Sequence, residues 1–361
     1  MIGRRGLLGM LGAVPVTMAA GGQVTDRQTT MCLAYTSFAV RMLQGRDIMK
    51  TTAAALGADA FRQLCARFGT RGGQMDFSQV AVDDTAALAR VREDFRREGL
   101  ELEVSIPSRY LETPESYARA AAAARALGAT RARVALLSGR RYETFETPAA
   151  WAGFRTKWRD TLLRMRPEFE RHGLAIGIEN HKDWLAPELA ALLRAIDLPL
   201  VGACLDFGNN LALLEDPDET IDVLAPFAVT THLKDMAVRR TAEGFELSEV
   251  PLGQGMLPLD RYVRMVAAAR PEARMCLEMI TRDPLQVPYR TDRYWIAFSA
   301  AERRAERLRA FEERVLAPAS AAPLPRVTGL SPAAQIAAED DNVRACVTFA
   351  RDTLKLETGR A

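Results

Sequence analysis

From residue 30 onward, short apolar runs alternate with longer amphipathic ones. In the first half, MCLAYTSF (31–38), QMDFSQV (74–80), LELEVSIPS (100–108) and RARVALLSG (131–139) have strand length, with β-branched and aromatic residues or alternating polarity. Residues 47–67, 83–99, 113–128 and 149–172 instead carry apolar side chains at helical spacing. The third of these opens with Thr113 as N-cap and Pro114 at the first helical position, and closes at Gly128. The second half repeats the pattern. LAIGIEN (174–180), VGACLDFGN (201–209), VTTHLKD (229–235) and ARMCLEMI (273–280) read as strands, with helices over 186–196, 216–227 and 259–271. Strict βα alternation implies a parallel sheet, and eight units over about 280 residues fit a (β/α)8 TIM barrel better than an open doubly wound sheet. Residues 236–258 read as a loop, 281–295 as irregular and 296–316 as a helix. The division expected is a barrel over 25–316, then a linker and C-terminal helix over 317–361, with the helix docked on the barrel exterior.

Four of the strands end near a side chain able to bind a metal: Glu179, Asp206, His232 and Glu278. Their separations are 27, 26 and 46 residues. The first two intervals equal one βα unit each, and the third also spans the predicted loop at 236–258. Side chains at successive strand C-termini converge on the mouth of a parallel barrel, the face that carries active sites. Three carboxylates and one imidazole suit one divalent ion, with Mn2+, Mg2+ or Co2+ favoured and Zn2+ accommodated. Each residue alone has an ordinary reading as a salt-bridged carboxylate, a helix cap or a core histidine. Their occurrence on four consecutive strands is what predicts a metal site.

Composition narrows the picture further. The 361-residue chain is 48% hydrophobic and 26% charged with a net charge of +2, ordinary for a soluble globular protein and without the basic block of a nucleic-acid footprint. Its five scattered cysteines, with no CxxC pattern, predict buried free thiols rather than disulfides or structural zinc. No GxGxxG follows the first strand, so a dinucleotide fingerprint is missing. At the N-terminus, Arg4-Arg5 precede a short apolar stretch. Residues 1–24 resemble a twin-arginine export signal, which implies a periplasmic or secreted protein without a membrane anchor after processing, or a cytoplasmic one if the signal does not function.

The motifs IENH (178–181), LDFGN (205–209), HLKD (232–235), PLGQG (251–255) and LEMITRDP (277–284) resemble the sugar phosphate isomerase/epimerase superfamily with its xylose isomerase-like TIM barrel. The resemblance implies that Glu179, Asp206, His232 and Glu278 bind one divalent metal and that the two glutamates act as acid and base on a carbohydrate. Ketose 3-epimerases of that family tend to carry a histidine three residues after the Asp ligand, where this chain has Asn209. Asn209 keeps hydrogen bonding but cannot carry a proton.

Further substrate contacts are expected from His181 and Lys234, from Arg140 and Arg141 after the fourth strand, and from Trp184 as a sugar-stacking wall. Lys182 flanks the same strand as His181, and a salt bridge to Asp235 is the alternative use of Lys234. The function expected is a metal-dependent sugar isomerase or epimerase acting on a keto-sugar or related small-molecule carbohydrate. Two alternatives are a lyase on the same scaffold, through inosose-type dehydration or elimination from a 3-keto-glycoside, and a periplasmic carbohydrate-binding protein without turnover. Three histidines in total are too few for a three-metal DNA-repair nuclease of this fold.

Overall fold

The computed structural model describes residues 30–43 and 56–359. The expected export signal and residues 47–55 of the first predicted helix lie outside the described residues. Seven parallel strands come first: β1 Met31–Ala34, β2 Gly72–Asp76, β3 Glu101–Ser105, β4 Arg131–Val134, β5 Ala175–Glu179, β6 Val201–Asp206 and β7 Ala228–His232. A hairpin of β8 Asp235–Arg240 and β9 Phe245–Val250 follows, then β10 Met275–Leu277 and β11 Leu285–Val287. The parallel sheet runs β10-β1-β2-β3-β4-β5-β6-β7, and bridges from Thr230 to Arg274 and Leu233 to Leu277 bring its two edges together. The result is the expected (β/α)8 barrel, with β10 as its eighth strand.

Helix starts follow from local chemistry. Thr113 and Thr147 each accept from a backbone N–H of the first turn, Ser116 at 3.2 Å and Ala150 at 3.1 Å, and a proline occupies the next position in both. Ser331 caps the terminal helix Pro332–Asp352 in the same way. That helix docks where predicted, with buried Glu339 accepting from the Val40 N–H at 2.6 Å and pairing with Arg41. All five cysteines are buried and unpaired. Among the described residues, no helix is long and apolar enough to cross a membrane.

Two expectations need correction. Residues 236–258 are not a loop: β8 and β9 pair antiparallel, and β11 adds a third strand from the segment read as irregular. The Phe245-Glu246-Leu247-Ser248 alternation carries that signal in the sequence, although all six residues of β9 are buried. Nor is 296–316 one helix, because only Ala305–Arg314 is helical. The preceding turn stacks Phe298 on Tyr294 and packs it against Trp295, so aromatic burial rather than helix periodicity organises it.

Candidate metal centre

β5, β6 and β7 end on Glu179, Asp206 and His232, and Glu278 follows β10 directly. Register sets the four together, since Asp206 pairs with His232 across β6 and β7 while Glu179 pairs with Cys204. One ligand atom from each of the four lies within 4.8 Å of all the others, and all four residues are buried.

The partners of each ligand decide which atom it presents. Asp206 Oδ1 accepts the N–H groups of Gly208 at 2.9 Å and Asn209 at 2.8 Å. Its Oδ2 has no hydrogen bond of good geometry, although Lys234 Nζ lies 2.8 Å away. Glu179 Oε2 pairs with Arg133, while Oε1 accepts from Asn209 Nδ2 at 3.0 Å. Glu278 Oε1 accepts from the Thr36 hydroxyl at 2.6 Å, and Oε2 lies 2.5 Å from Lys234 Nζ. His232 Nε2 sits 2.9 Å from Gln74 Oε1, and the Gln74 amide nitrogen faces Glu103 at 3.3 Å. A carboxylate only accepts, so the Gln74 amide must donate to Glu103 and turn its carbonyl to His232. The Nε2 proton then points at Gln74, which aims Nδ1 at the three carboxylates.

The cluster's electrostatics reinforce this reading. Burial alone would raise the pKa of Glu278, but His232 and Lys234 hold it well below the carboxylate range. Burial opposes ionisation of Glu179 in the same way and is overcome by Arg133 and His232, so that carboxyl too titrates far below neutral pH. Burial alone would keep His232 neutral, yet Cys204, Glu278 and Glu179 push its pKa well above the imidazole value. Three buried carboxylates and one imidazole presenting their ligand atoms to one point form a set that a divalent ion could occupy. Glu179, Asp206 with its unbonded Oδ2, His232 through Nδ1 and Glu278 fit a divalent ion in donor type and convergence.

The other predicted contacts divide. Asn209 joins the centre, bridging Glu179 and the Lys182 ammonium. Lys234 lies inside it, between Asp206, Glu278 and Glu249. Asp235 is not its partner: that carboxylate accepts from the N–H groups of Gly253, Gly255 and Leu257 and so ties down the PLGQG loop. A Cβ on Gly255 would come within 2.2 Å of Asp235 Oδ1, which explains the glycine. His181 is half-buried, its Nδ1 donates to the Leu137 carbonyl at 2.9 Å, and burial lowers its pKa to about 4.

Arg140 pairs with Glu143 at 2.6 Å on its own short helix. Arg141 departs from the expectation. It is buried, paired with Glu188 at 3.0 Å and Glu302 at 3.2 Å, and stacked on Trp151 and Phe298, so its guanidinium is committed to structure. Trp184 departs as well, because it packs on Trp151 and lines a groove with Arg155 and Glu188 between the helices Pro148–His172 and Ala186–Ile196.

Sequence reasoning missed Gln74, Glu103, Arg133 and Glu249. Arg133 lines a cavity of about 370 Å³ at the C-terminal ends of β2, β3 and β4, together with Asp76, Ser105, Ser108, Arg109 and Ser138. A polar or charged residue inside an otherwise apolar strand was the available signal for the first three, and the alternation at the start of FELSEV for the fourth.

Comparison with known proteins agrees with this architecture. The sequence profile of the xylose isomerase-like TIM barrel family matches residues 51–298. A xylose isomerase-like TIM barrel protein from Mycobacterium smegmatis, solved in complex with magnesium, superposes with a TM-score of 0.52 at 16% identity, covering 79% of this chain and 97% of its own. D-psicose 3-epimerase from Clostridium cellulolyticum H10, solved with D-tagatose, superposes with a TM-score of 0.54 at 13% identity, covering 90% and 99%. A stretch of 102 residues is 40% identical to 3-oxo-isoapionate decarboxylase from Pectobacterium atrosepticum, spanning 27% of this chain and 37% of that relative. The chain belongs to the xylose isomerase-like TIM barrel family.

Proposed function

We propose that this protein is a metal-dependent enzyme that forms an enolate-type anion on an oxo-carbohydrate, with Glu179 and Glu278 transferring the proton. The supporting observation is the placement of two ligand glutamates about one imidazole: His232 Nδ1 lies 3.3 Å from an oxygen of each. When bound, a divalent cation at these ligands supplies the charge stabilisation that a carbonyl oxygen needs as it turns into an oxyanion. Both glutamates are held in the ionised form by their cationic neighbours, which is the form that can accept a proton. Arg133 and Thr36 anchor their far oxygens and fix their aim. A proton returned to the opposite face gives epimerisation, and one returned to the neighbouring carbon gives aldose–ketose isomerisation.

One observation favours a lyase outcome from the same anion, namely the stretch shared with 3-oxo-isoapionate decarboxylase. In a 3-oxo acid the bond to the carboxylate breaks, CO2 leaves, and the electron pair stays behind as an enolate. A proton then returns to that carbon, so the step needs no oxidant or reductant. Asn209 is compatible with this outcome, because it steadies Glu179 without supplying a proton.

Metal-loaded protein in D2O, given neutral keto-sugars and 3-oxo sugar acids in parallel, separates the outcomes. Carbon-bound deuterium in product is expected, with CO2 release if the lyase reading holds, and Glu278→Gln abolishes both. A metal-loaded protein that neither exchanges a carbon-bound proton nor releases CO2 sinks the reading. Export through the twin-arginine start is a further proposal, tested by fractionating cells that express the full chain.

A further inference from the structure

Four buried or half-buried cations surround the centre, and three have carboxylate partners: Arg133 has Glu179, Lys234 has Asp206 and Glu278, and Arg282 has Glu249 at 2.9 Å. Lys182 is different. It is 5% exposed, and the single contact its ammonium makes among the described residues is with the neutral side-chain oxygen of Asn209. Asn209 in turn donates to Glu179, so Lys182 stands one side chain from a metal ligand. Lys234, Arg282, Glu249 and Asp206 lie close enough for their charges to act on it. Its backbone has φ of 67°, a left-handed conformation that a non-glycine residue adopts at a cost and that orients the side chain here.

An ammonium carries three donors, and a buried one without an anion is costly unless something else fills the place. Charge balance says what. In formal charge the four carboxylates Glu179, Asp206, Glu249 and Glu278 equal the four cations Arg133, Lys182, Lys234 and Arg282, although Lys182 pairs with none of them. A divalent cation therefore adds surplus positive charge, which a neutral sugar leaves uncompensated and an anionic one reduces.

We propose that Lys182 binds a carboxylate of the substrate, and that the substrate is consequently an oxo-sugar acid rather than a neutral ketose. This rests on the metal-centred reading above and narrows it to an anionic substrate class. Burial, with Lys234 and Arg282 nearby, lowers the Lys182 pKa to about 8, so the group is still mostly charged at neutral pH and an arriving carboxylate meets a cation.

The test uses a matched pair of six-carbon polyols, D-gluconate and D-sorbitol, titrated calorimetrically into Mn2+-loaded full-length protein. Wild type is expected to bind D-gluconate more tightly. Lys182→Met should weaken D-gluconate by about tenfold or more, the size of a lost charge-assisted contact, with Mn2+ affinity not reduced and D-sorbitol binding unchanged. Lys182→Arg, which keeps the charge, should retain part of the preference and guards against a mere folding defect in the methionine variant. The proposal is overturned if wild type binds the two polyols equally, or if Lys182→Met leaves D-gluconate affinity intact. It is also overturned if that variant weakens both polyols alike. Failure of wild type to bind Mn2+ at all would instead overturn the metal-centred reading, so the two failures are distinguishable.

Discussion

Asp206 and Glu103 are both buried in the barrel, and each keeps one carboxylate oxygen without a hydrogen bond. Their surroundings differ. Glu103 Oε1 lies 3.6 Å from Nε of Arg131 and 3.6 Å from Nε of Arg274, while Oε2 accepts from Thr230 at 2.8 Å. Arg274 also pairs with Glu101. This lower layer is a charge-matched plug. Asp206 Oδ2 has a closer cation, Lys234 Nζ at 2.8 Å, but it also faces the ligand atoms of Glu179, His232 and Glu278. An unbonded buried oxygen is therefore not diagnostic of a metal. What separates the upper layer is that one ligand-type atom from each of Glu179, Asp206, His232 and Glu278 lies within 4.8 Å of all the others, a set that could hold one ion.

The largest expected effect pulls these layers apart. Glu103→Leu leaves the half-buried Arg131 guanidinium without its carboxylate and Arg274 with Glu101 alone, and should cost about 3 kcal/mol of folding stability. Asp206→Asn keeps the Oδ1 contacts but removes a charged ligand, so divalent-metal affinity should fall at least about 100-fold with stability changed by less than about 1 kcal/mol. Urea unfolding and metal titration on both variants read the two quantities. Equal losses of stability and metal affinity in both variants would mean that the layers do not act separately.

A smaller effect probes the strut that joins them. Gln74 links Glu103 below to His232 above. Gln74→Leu removes the acceptor that holds the Nε2 proton and should lower metal affinity about 10- to 100-fold. 15N shifts of the His232 ring in metal-loaded protein should show mixed tautomers in the variant and one in wild type. A single unchanged tautomer in the variant would show that the strut does not orient the ring.

The contrast also explains what the sequence disclosed. The barrel was legible because each βα unit repeats one burial pattern, and the metal quartet because its members end successive strands, where chain spacing reports spatial proximity. Glu103, Gln74 and Arg133 were not legible. Each is one polar residue inside a strand, and its partner lies on another strand at an interval unrelated to the repeat. Glu249 was hidden because the hairpin carrying it falls outside the βα repeat. Arg141 and Trp184 misled for the converse reason: strand-end position placed them near the mouth, but Glu188, Glu302 and Trp151 offered burial on the helical side.

Glu215 supplies a third kind of buried carboxylate and the smallest effect. It accepts from the Ala186 N–H at 2.8 Å and Asn210 Nδ2 at 2.5 Å, and its one cation among the described residues, Arg307, is 3.5 Å away. Burial outweighs these contacts and raises its pKa to about 7 from 4.5. A carboxyl raised on folding favours the native state fully below its unfolded pKa, and that contribution is lost as pH rises through about 7. Wild type should therefore lose stability between pH 5 and pH 8, and Glu215→Gln should reduce that loss by on the order of 2 kcal/mol. Asp183 and Glu339, also raised to about 7 by burial, and His232, raised by its anionic neighbours, act in the same direction, while His181, lowered to about 4 by burial, opposes them below pH 6.5; all four persist in the variant, so the slope should shrink rather than vanish. The centre's glutamates cannot produce this slope, because both titrate far below pH 5. An unchanged slope in urea titrations of Glu215→Gln would mean that Arg307 or solvent already compensates the charge, which would class Glu215 with the matched carboxylates of the lower layer.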